Sequence, residues 1–200
     1  PPVSFLAMAA EASTRAAGAV TAEVVTGAAG FIGSQLTEAL LARGNAVRAV
    51  DSFTNYYDLE SKLRNIASMP AGVVQRVDLA RDDLAPVLSE VDVVYHLAGQ
   101  PGVRGSFGCG FVDYVDWNIT ATQRLLEAAR SSSVRRIVYS SSSSVYGNVH
   151  VIPTPENNPT RPFSPYGVTK LAGELLCCAY GANFGVPTTN LRYFTVYGPR

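Results

Sequence analysis

The chain has 200 residues, of which 47% are hydrophobic and 16% are charged. This length and composition suffice for one sizeable buried core, which favours a single folded domain and excludes a chain that is disordered throughout. Sixteen basic residues balance sixteen acidic ones and no apolar run reaches the roughly 18 residues that would span a bilayer, so binding to nucleic acid or to a membrane is not expected.

The predicted elements begin at Thr21, and residues 1–20 are expected to form only a flexible leader. From there, short β-branched runs alternate with longer helical patterns. This alternation predicts an α/β fold, a doubly wound, Rossmann-like parallel sheet with helices on both faces, formed by residues 21–200. The predicted strands are Glu23 to Thr26, Ala46 to Val50, Val73 to Val77, Val91 to Leu97, Arg135 to Ser140 and Pro187 to Tyr193. The predicted helices span residues 31–43, 58–67, 82–89, 113–131 and 165–184.

A glycine-rich turn, TGAAGFIG, follows the first strand and opens the first helix. Gly27 allows a tight turn, Gly30 lets the backbone approach a pyrophosphate, and Gly33 permits close packing of the helix on the strand. The free N–H groups of the first helical turn, which contains Phe31 and Ile32, favour an anion there. The turn therefore predicts a dinucleotide site.

Acidic residues end the second and third strands. Asp51 stands 21 residues beyond the second glycine of the turn, where a carboxylate accepts hydrogen bonds from the adenosine ribose. It favours NAD over NADP, whose 2′-phosphate it would repel, although Arg48 and Arg64 leave NADP open. Asp78, followed by Leu79, is expected either beside the adenine or as a helix cap.

A tyrosine and a lysine lie one helical turn apart near the start of the last predicted helix. Ser164 is the expected N-cap, and Tyr166 and Lys170 then share one face. A phenol has a pKa of about 10, and a nearby ammonium favours its ionised form. A surface pair is the alternative, but five consecutive serines, residues 140–144, end the fifth strand at the sheet edge where such folds bind ligands.

Five motifs in order, TGAAGFIG, HLAGQ, SSSSVYG, YGVTK and LRYFTVYGPR, resemble those of the extended short-chain dehydrogenase/reductase family of sugar-nucleotide epimerases and dehydratases. The resemblance implies that Tyr166 is the catalytic acid/base. Lys170 would lower the pKa of Tyr166 and bind the nicotinamide ribose, and Ser142 would hydrogen-bond the reacting hydroxyl.

The resemblance also implies further neighbours of NAD. The HLAGQ segment corresponds to a stretch that lines the cofactor in this family. Leu97, Ala98 and Gln100 are therefore expected at the cofactor, Asn118 is expected to support the strand opposite, and His96 is expected to be packed rather than catalytic.

The shared chemistry of the family is hydride transfer from C4 of the sugar to NAD, which gives a 4-keto sugar. Ser143 and Ser144 stand where the related 4,6-dehydratases carry Asp-Glu, and Ser144 stands where the decarboxylases carry Glu. Without these proton carriers, epimerisation is favoured. Residues 51–64 and 100–106 resemble the 4-epimerases of UDP-hexuronates, which convert UDP-glucuronate to UDP-galacturonate.

The orientation of the substrate carboxylate matters, because a 4-keto hexuronate is a β-keto acid. It loses carbon dioxide when its carboxylate stands perpendicular to the plane of the carbonyl group. Ser142, Ser143, Ser144 and Thr195 are expected to hold this carboxylate by hydrogen bonds. Arg104 is expected to contact either the substrate or the loop backbone.

Other interpretations remain. The chain is alternatively a UDP-glucose 4-epimerase, a UDP-glucuronate decarboxylase or a non-catalytic NAD-binding module. The small C-terminal nucleotide-sugar domain of the family is expected to be absent or truncated, so that the 200-residue chain binds NAD better than substrate and turns over little. We expect a homodimer through helices 113–131 and 165–184. The three cysteines, an odd number with two adjacent, favour reduced thiols, no bound metal and a cytoplasmic location.

Overall fold

A computed structural model describes residues 21–149 and 151–199, and the predicted leader, residues 1–20, lies outside this range. Its centre is one six-stranded sheet in the order β3-β2-β1-β4-β5-β6, in which every neighbouring pair is parallel. The strands are β1 (Ala22–Thr26), β2 (Ala46–Asp51), β3 (Val74–Arg76), β4 (Val93–His96), β5 (Arg136–Ser142) and β6 (Thr188–Tyr193).

Helices connect the strands and cover both faces of the sheet, which confirms the predicted fold class. They are α1 (Phe31–Ala42), α2 (Leu59–Ile66), α3 (Ala85–Leu88), α4 (Phe111–Tyr114), α5 (Ala121–Ala129) and α6 (Pro165–Phe184). A π-helical segment, Val115–Thr120, joins α4 to α5. The predicted helix 113–131 is therefore observed as a continuous helical stretch whose middle turns are wider than those of an α-helix. Among the described residues, no helix combines the length and apolar character needed to cross a membrane.

The central strand β1 is apolar along consecutive residues because both of its faces are buried, as in other parallel sheets. Val24 packs into a core cluster with Leu125 of α5 and Cys177 of α6. Its neighbour Val25 points to the opposite face and packs into a second cluster with Leu36 of α1. The two clusters hold β1, and with it the glycine-rich turn that follows β1, between the helices on the two faces of the sheet.

The start of α6 follows the predicted capping pattern, and glycine ends the helix. The Ser164 hydroxyl oxygen accepts a hydrogen bond from the N–H of Gly167 at 3.1 Å, and Pro165 opens the helix. At the other end, Gly185 adopts a left-handed conformation with φ of 69°. Such a residue stops a helix at little cost only when it is glycine.

Most observed boundaries differ from the predicted ones by one or two residues, and two of the differences have a clear physical reason. β5 continues to Ser142, two residues past the predicted end, because Ser141 and Ser142 still pair with Arg192 and Tyr193 of β6. Polar residues at a strand end resemble a loop in the sequence although their backbone belongs to the ladder. α3 is shorter than the predicted 82–89, since the Asp83 carboxylate accepts from the N–H of Ala85 and the helix begins only there.

A partly buried ion pair connects β6 to α6. Arg192 donates to both carboxylate oxygens of Glu174, with Nε–Oε1 at 2.9 Å and Nη2–Oε2 at 2.8 Å. Arg192 also donates to the Tyr146 hydroxyl at 2.9 Å, and Ser141 donates to Glu174. This two-pronged geometry orients the groups as well as attracting them. It fixes the carboxyl end of β5, which carries Ser142, against the helix that carries Tyr166.

Candidate active site

A cavity of about 400 Å³ opens at the carboxyl ends of the strands, the edge at which α/β sheets bind ligands. The glycine turn, the acidic strand ends and the predicted catalytic residues all line this cavity. Of the predicted site residues, the following line it: Gly27, Gly30, Phe31, Ile32, Gly33, Asp51, Asp78, Leu79, Leu97, Ala98, Gln100, Ser142, Tyr166 and Lys170.

The glycine turn is shaped by close backbone contacts. Gly27 has φ of 68°, and a Cβ there would lie 2.8 Å from the backbone nitrogen of Ala98. A Cβ on Gly33 would lie 2.1 Å from the carbonyl oxygen of Gly27. Gly30, the N-cap of α1, makes no side-chain cap, and the first turn carries no acidic residue. The positive end of α1 therefore faces the cavity uncapped, which suits the pyrophosphate of a dinucleotide.

Asp51 ends β2 with its carboxylate buried and heavily engaged. Oδ2 accepts from the N–H of Ala29 at 3.1 Å, and Oδ1 accepts from the N–H of Phe53 at 2.7 Å. Oδ1 also accepts from the ammonium of Lys62 at 2.9 Å, and this ion pair is only 6% exposed on each side. Asp51 thus keeps its predicted place in the cavity wall, but as part of a pair.

The two arginines that left NADP open lie elsewhere. Arg48 donates to the carbonyl of Pro86 at 2.9 Å, and Arg64 pairs with Glu60 at 3.3 Å on the exposed side of α2. Neither arginine lines the cavity. The cation beside Asp51 is Lys62.

Asp78 lines the cavity and also caps the turn after β3. Its Oδ1 accepts from the N–H of Ala80 at 2.9 Å, and its Oδ2 pairs with Arg81 at 2.8 Å. Asp78 therefore lies beside the cavity and caps a turn, whereas the helix-cap alternative is not observed, because the next helix begins only at Ala85.

His96, at the end of β4, is packed as expected. Burial lowers its pKa to about 3, so the ring is neutral. The N–H of Ala98 donates to Thr26 Oγ1 at 3.0 Å, which leaves the Thr26 hydroxyl to donate to His96 Nδ1 at 2.9 Å. Thr122 donates to the carbonyl of Asn118 at 2.7 Å and so accepts from His96 Nε2 at 3.0 Å. These partners assign the proton to Nε2 and link β1, β4 and α5.

Asn118 lies on the π-helical segment and holds the chain after β4. Its side-chain amide donates to the carbonyl of Gln100 and to Thr169 Oγ1, both at 3.0 Å, and its Oδ1 accepts from the N–H of Gln100 at 2.7 Å. A Cβ on Gly99 would lie 2.7 Å from that Oδ1. Asn118 itself does not line the cavity, so its contact is with the wall rather than with the interior.

Tyr166, Ser142 and Lys170 converge at the end of β5. Burial raises the pKa of Tyr166, while a hydrogen bond with Ser142 acts in the opposite direction. Ser142 Oγ accepts from the N–H of Ser144 at 3.1 Å, so its own hydrogen is available to the phenol oxygen. Lys170 Nζ donates to the carbonyl of Ser140 at 2.9 Å, and burial lowers its pKa to about 8. Burial is the largest influence on the Tyr166 pKa, and the lowering expected from Lys170 stays a prediction.

Four predicted substrate residues are not brought to the cavity wall. Ser143 and Ser144 form a turn with Val145 after β5, and Arg104 and Thr195 are exposed. Their contacts with substrate stay predictions.

The cavity also contains residues that the sequence analysis missed. Several of the missed side chains come from the loop after β2 and from α2, and others come from the π-helical segment and the end of β6. The signal was their position, since loops at the carboxyl edge of a parallel sheet line its ligand site. They include Tyr56, Tyr57, Lys62, Trp117 and Tyr193. No group of three potential metal ligands occurs in the part of the chain that the structure describes.

Comparison with known proteins gives consistent matches. Among curated proteins, the chain is 47% identical over 181 residues to Uncharacterized UDP-glucose epimerase YtcB of Bacillus subtilis (strain 168), covering 88% of this chain and 57% of that protein. It is 40% identical over 183 residues to UDP-glucuronate 4-epimerase 1 of Arabidopsis thaliana, covering 88% and 42%.

Among solved structures, UDP-glucuronic acid 4-epimerase from Bacillus cereus in complex with UDP-glucuronic acid and NAD superposes with a TM-score of 0.84 at 46% identity. The match covers 90% of this chain and 58% of that one. The chain thus spans between 42% and 58% of the length of these relatives. The family model described as NAD dependent epimerase/dehydratase family matches residues 24–200. Since this match takes in all but the first two residues of the described sheet, together with the cavity at its edge, the chain belongs to the NAD dependent epimerase/dehydratase family.

Proposed function

We propose that the protein catalyses the NAD-dependent epimerisation of UDP-glucuronate at C4, which yields UDP-galacturonate. The observation that carries the proposal is the convergence of Tyr166, Ser142 and Lys170 with the glycine turn in one cavity. Relatives and solved neighbours that bear the name of this activity support it. The proposal concerns the whole protein that carries this sequence.

The cavity has the features that NAD requires. The uncapped start of α1 would hold the pyrophosphate, Asp51 would accept from the adenosine ribose, and Lys170 would donate to the nicotinamide ribose. Asp78, Leu79, Leu97, Ala98 and Gln100 form the remaining wall, with Asn118 behind it. Bound NAD would supply the hydride acceptor and a positively charged ring.

The chain's own residues would move the proton. Tyr166 would take the proton of the C4 hydroxyl and later return it, while Ser142 orients that hydroxyl. The partly buried phenol needs positive charge nearby before it ionises, since burial alone raises its pKa. The buried Lys170 ammonium would supply part of this charge.

The serines at the end of β5 favour epimerisation over the related reactions. Ser142, Ser143 and Ser144, with Thr195, would hold the substrate carboxylate out of the orientation that releases carbon dioxide, and Arg104 would contact substrate or its own loop. The related 4,6-dehydratases commonly carry Asp-Glu in place of Ser143 and Ser144, and the decarboxylases usually carry Glu in place of Ser144, so the serines of this sequence favour neither reaction.

The test is incubation of the protein with UDP-glucuronate and NAD, followed by chromatographic separation of the nucleotide sugars. We expect UDP-galacturonate, with no net accumulation of NADH because each hydride is returned. A UDP-pentose product would identify a decarboxylase. Conversion of UDP-glucose alone would identify the activity that the B. subtilis relative is named for. NAD binding with no product from either sugar would identify a non-catalytic module.

We also propose a cytoplasmic homodimer that forms through helices 113–131 and 165–184. Val168 and Leu175 lie two turns apart on one face of α6 and are 48% and 61% exposed, and Val112 of α4 is 61% exposed. Leu175→Glu should therefore yield a monomer, as measured by light scattering during gel filtration. Leu63→Glu on α2, at a leucine that is 51% exposed, is the matched control and should leave the dimer intact. A dimer that survives Leu175→Glu would contradict this interface, and cell fractionation tests the location.

A further inference from the structure

Lys62 occupies a place where a charged side chain is costly. Its side chain is only 6% exposed, and its ammonium lies 5.9 Å from the ring centroid of Phe53 and 5.3 Å from that of Tyr57. Lysine is almost never buried this deeply unless it is paired. Its partner is Asp51, and both residues line the cavity.

The pair changes what Asp51 offers to a ligand. A carboxylate has about four acceptor positions. Three are taken, by the N–H of Ala29, the N–H of Phe53 and the ammonium of Lys62. The pair has no net charge, whereas a lone carboxylate at this strand end would repel a phosphate on the adjacent ribose oxygen.

We propose that Lys62 sets the discrimination between NAD and NADP in this chain. By neutralising Asp51 and presenting a cation at the ribose end of the cavity, Lys62 lets the site accept the 2′-phosphate of NADP more readily than Asp51 alone would. The proposal rests on the proposed dinucleotide site and adds to it a specificity residue outside the glycine turn and the strand end.

Binding of NADH and NADPH is the appropriate readout, because it does not require turnover. Trp117 is the single tryptophan of the chain and lines the cavity, so its fluorescence reports binding of either cofactor. Lys62→Met should raise the ratio of the NADPH to the NADH dissociation constant by about tenfold or more, the size of one charge-assisted contact to a phosphate. Lys62→Arg keeps the charge and should leave the ratio within about threefold of wild type.

A second pair of variants removes the carboxylate instead. Asp51→Ser leaves Lys62 as the remaining charge of the pair and should lower the same ratio by about tenfold or more. Adding Lys62→Met to Asp51→Ser should reverse that change. If Lys62→Met alone does not fold, as judged by circular dichroism, the proposal is tested by comparing the ratio of dissociation constants in Asp51→Ser with the ratio in the double variant.

Two results would overturn the proposal: a ratio unchanged in folded Lys62→Met, or the same ratio in Asp51→Ser with and without Lys62. Both leave the dinucleotide site standing as long as the wild-type chain binds NADH. A wild-type chain that binds neither cofactor would instead refute the proposed function itself, so the two failures are distinguishable.

Discussion

Replacing Tyr166 with phenylalanine is expected to lower kcat for UDP-glucuronate epimerisation by about 10²- to 10⁴-fold, the usual contribution of one positioned acid/base group. The substitution removes only the phenol oxygen. The ring keeps its edge-to-face contact with Tyr114, whose centroid lies 6.2 Å away, so the cavity wall is preserved. Product formation is measured chromatographically, and NADH binding, followed through Trp117, should change little.

The matched control is Tyr197→Phe, which removes the same atom from a side chain that is 91% exposed and does not line the cavity. This variant should keep full activity. If Tyr166→Phe retained more than about a tenth of kcat, another group would have to move the proton and the assigned role of Tyr166 would be wrong.

Replacing Gly33 with alanine is expected to destabilise the fold and weaken NADH binding together. The new Cβ would lie 2.1 Å from the carbonyl oxygen of Gly27 and 2.8 Å from its carbonyl carbon, so α1 must move away from the turn. Forcing one extra carbon into a packed region costs about 1–3 kcal/mol, and each kcal/mol lowers Tm by roughly 2–4 °C in a domain of this size. Thermal unfolding with and without NADH measures both effects.

Gly181→Ala is the control for the Gly33 variant. Gly181 lies within α6, and a Cβ there would meet the carbonyl oxygen of Val186 at 3.4 Å, an ordinary contact. Because alanine is a better helix former than glycine by about 1 kcal/mol, this variant should be as stable as wild type or more so. Equal melting temperatures for Gly33→Ala and wild type would mean that the turn yields more easily than the backbone contacts indicate.

Much of the fold was predictable because local patterns and tertiary structure agree. The apolar run around Val24 and Val25 predicts a buried strand, and both faces of β1 are buried. Ser164 begins α6 because its hydroxyl caps the first turn, and Gly185 ends it because glycine adopts the left-handed conformation readily. The π-helical segment, in contrast, was not foreseen, because one widened turn leaves the apolar spacing of a helix almost unchanged.

The site was predicted only where its residues come from motifs. The glycine turn, Asp51 and the Tyr166–Lys170 pair have fixed spacings that their chemistry requires. Lys62 was missed because an amphipathic helix such as α2 gives no sign in its sequence that one lysine turns inward to an aspartate. The raised pKa of Tyr166 was missed for a similar reason, since the depth of burial depends on elements that are distant in the chain.

The strand order has a consequence for how the molecule reaches its native state. β1 pairs on one side with β2, which follows it closely in the chain, and on the other side with β4, where the register pairs Thr26 with His96, 70 positions along the chain. Parallel pairings between strands that are distant in the chain form slowly. Until they form, an unpaired apolar strand edge is exposed and can associate with other chains. The cavity is lined from both of these strand ends, so it forms only after β1 and β4 have paired. A dinucleotide that binds there would capture fully assembled molecules and protect them by mass action, so its supply during expression would govern the yield of folded protein.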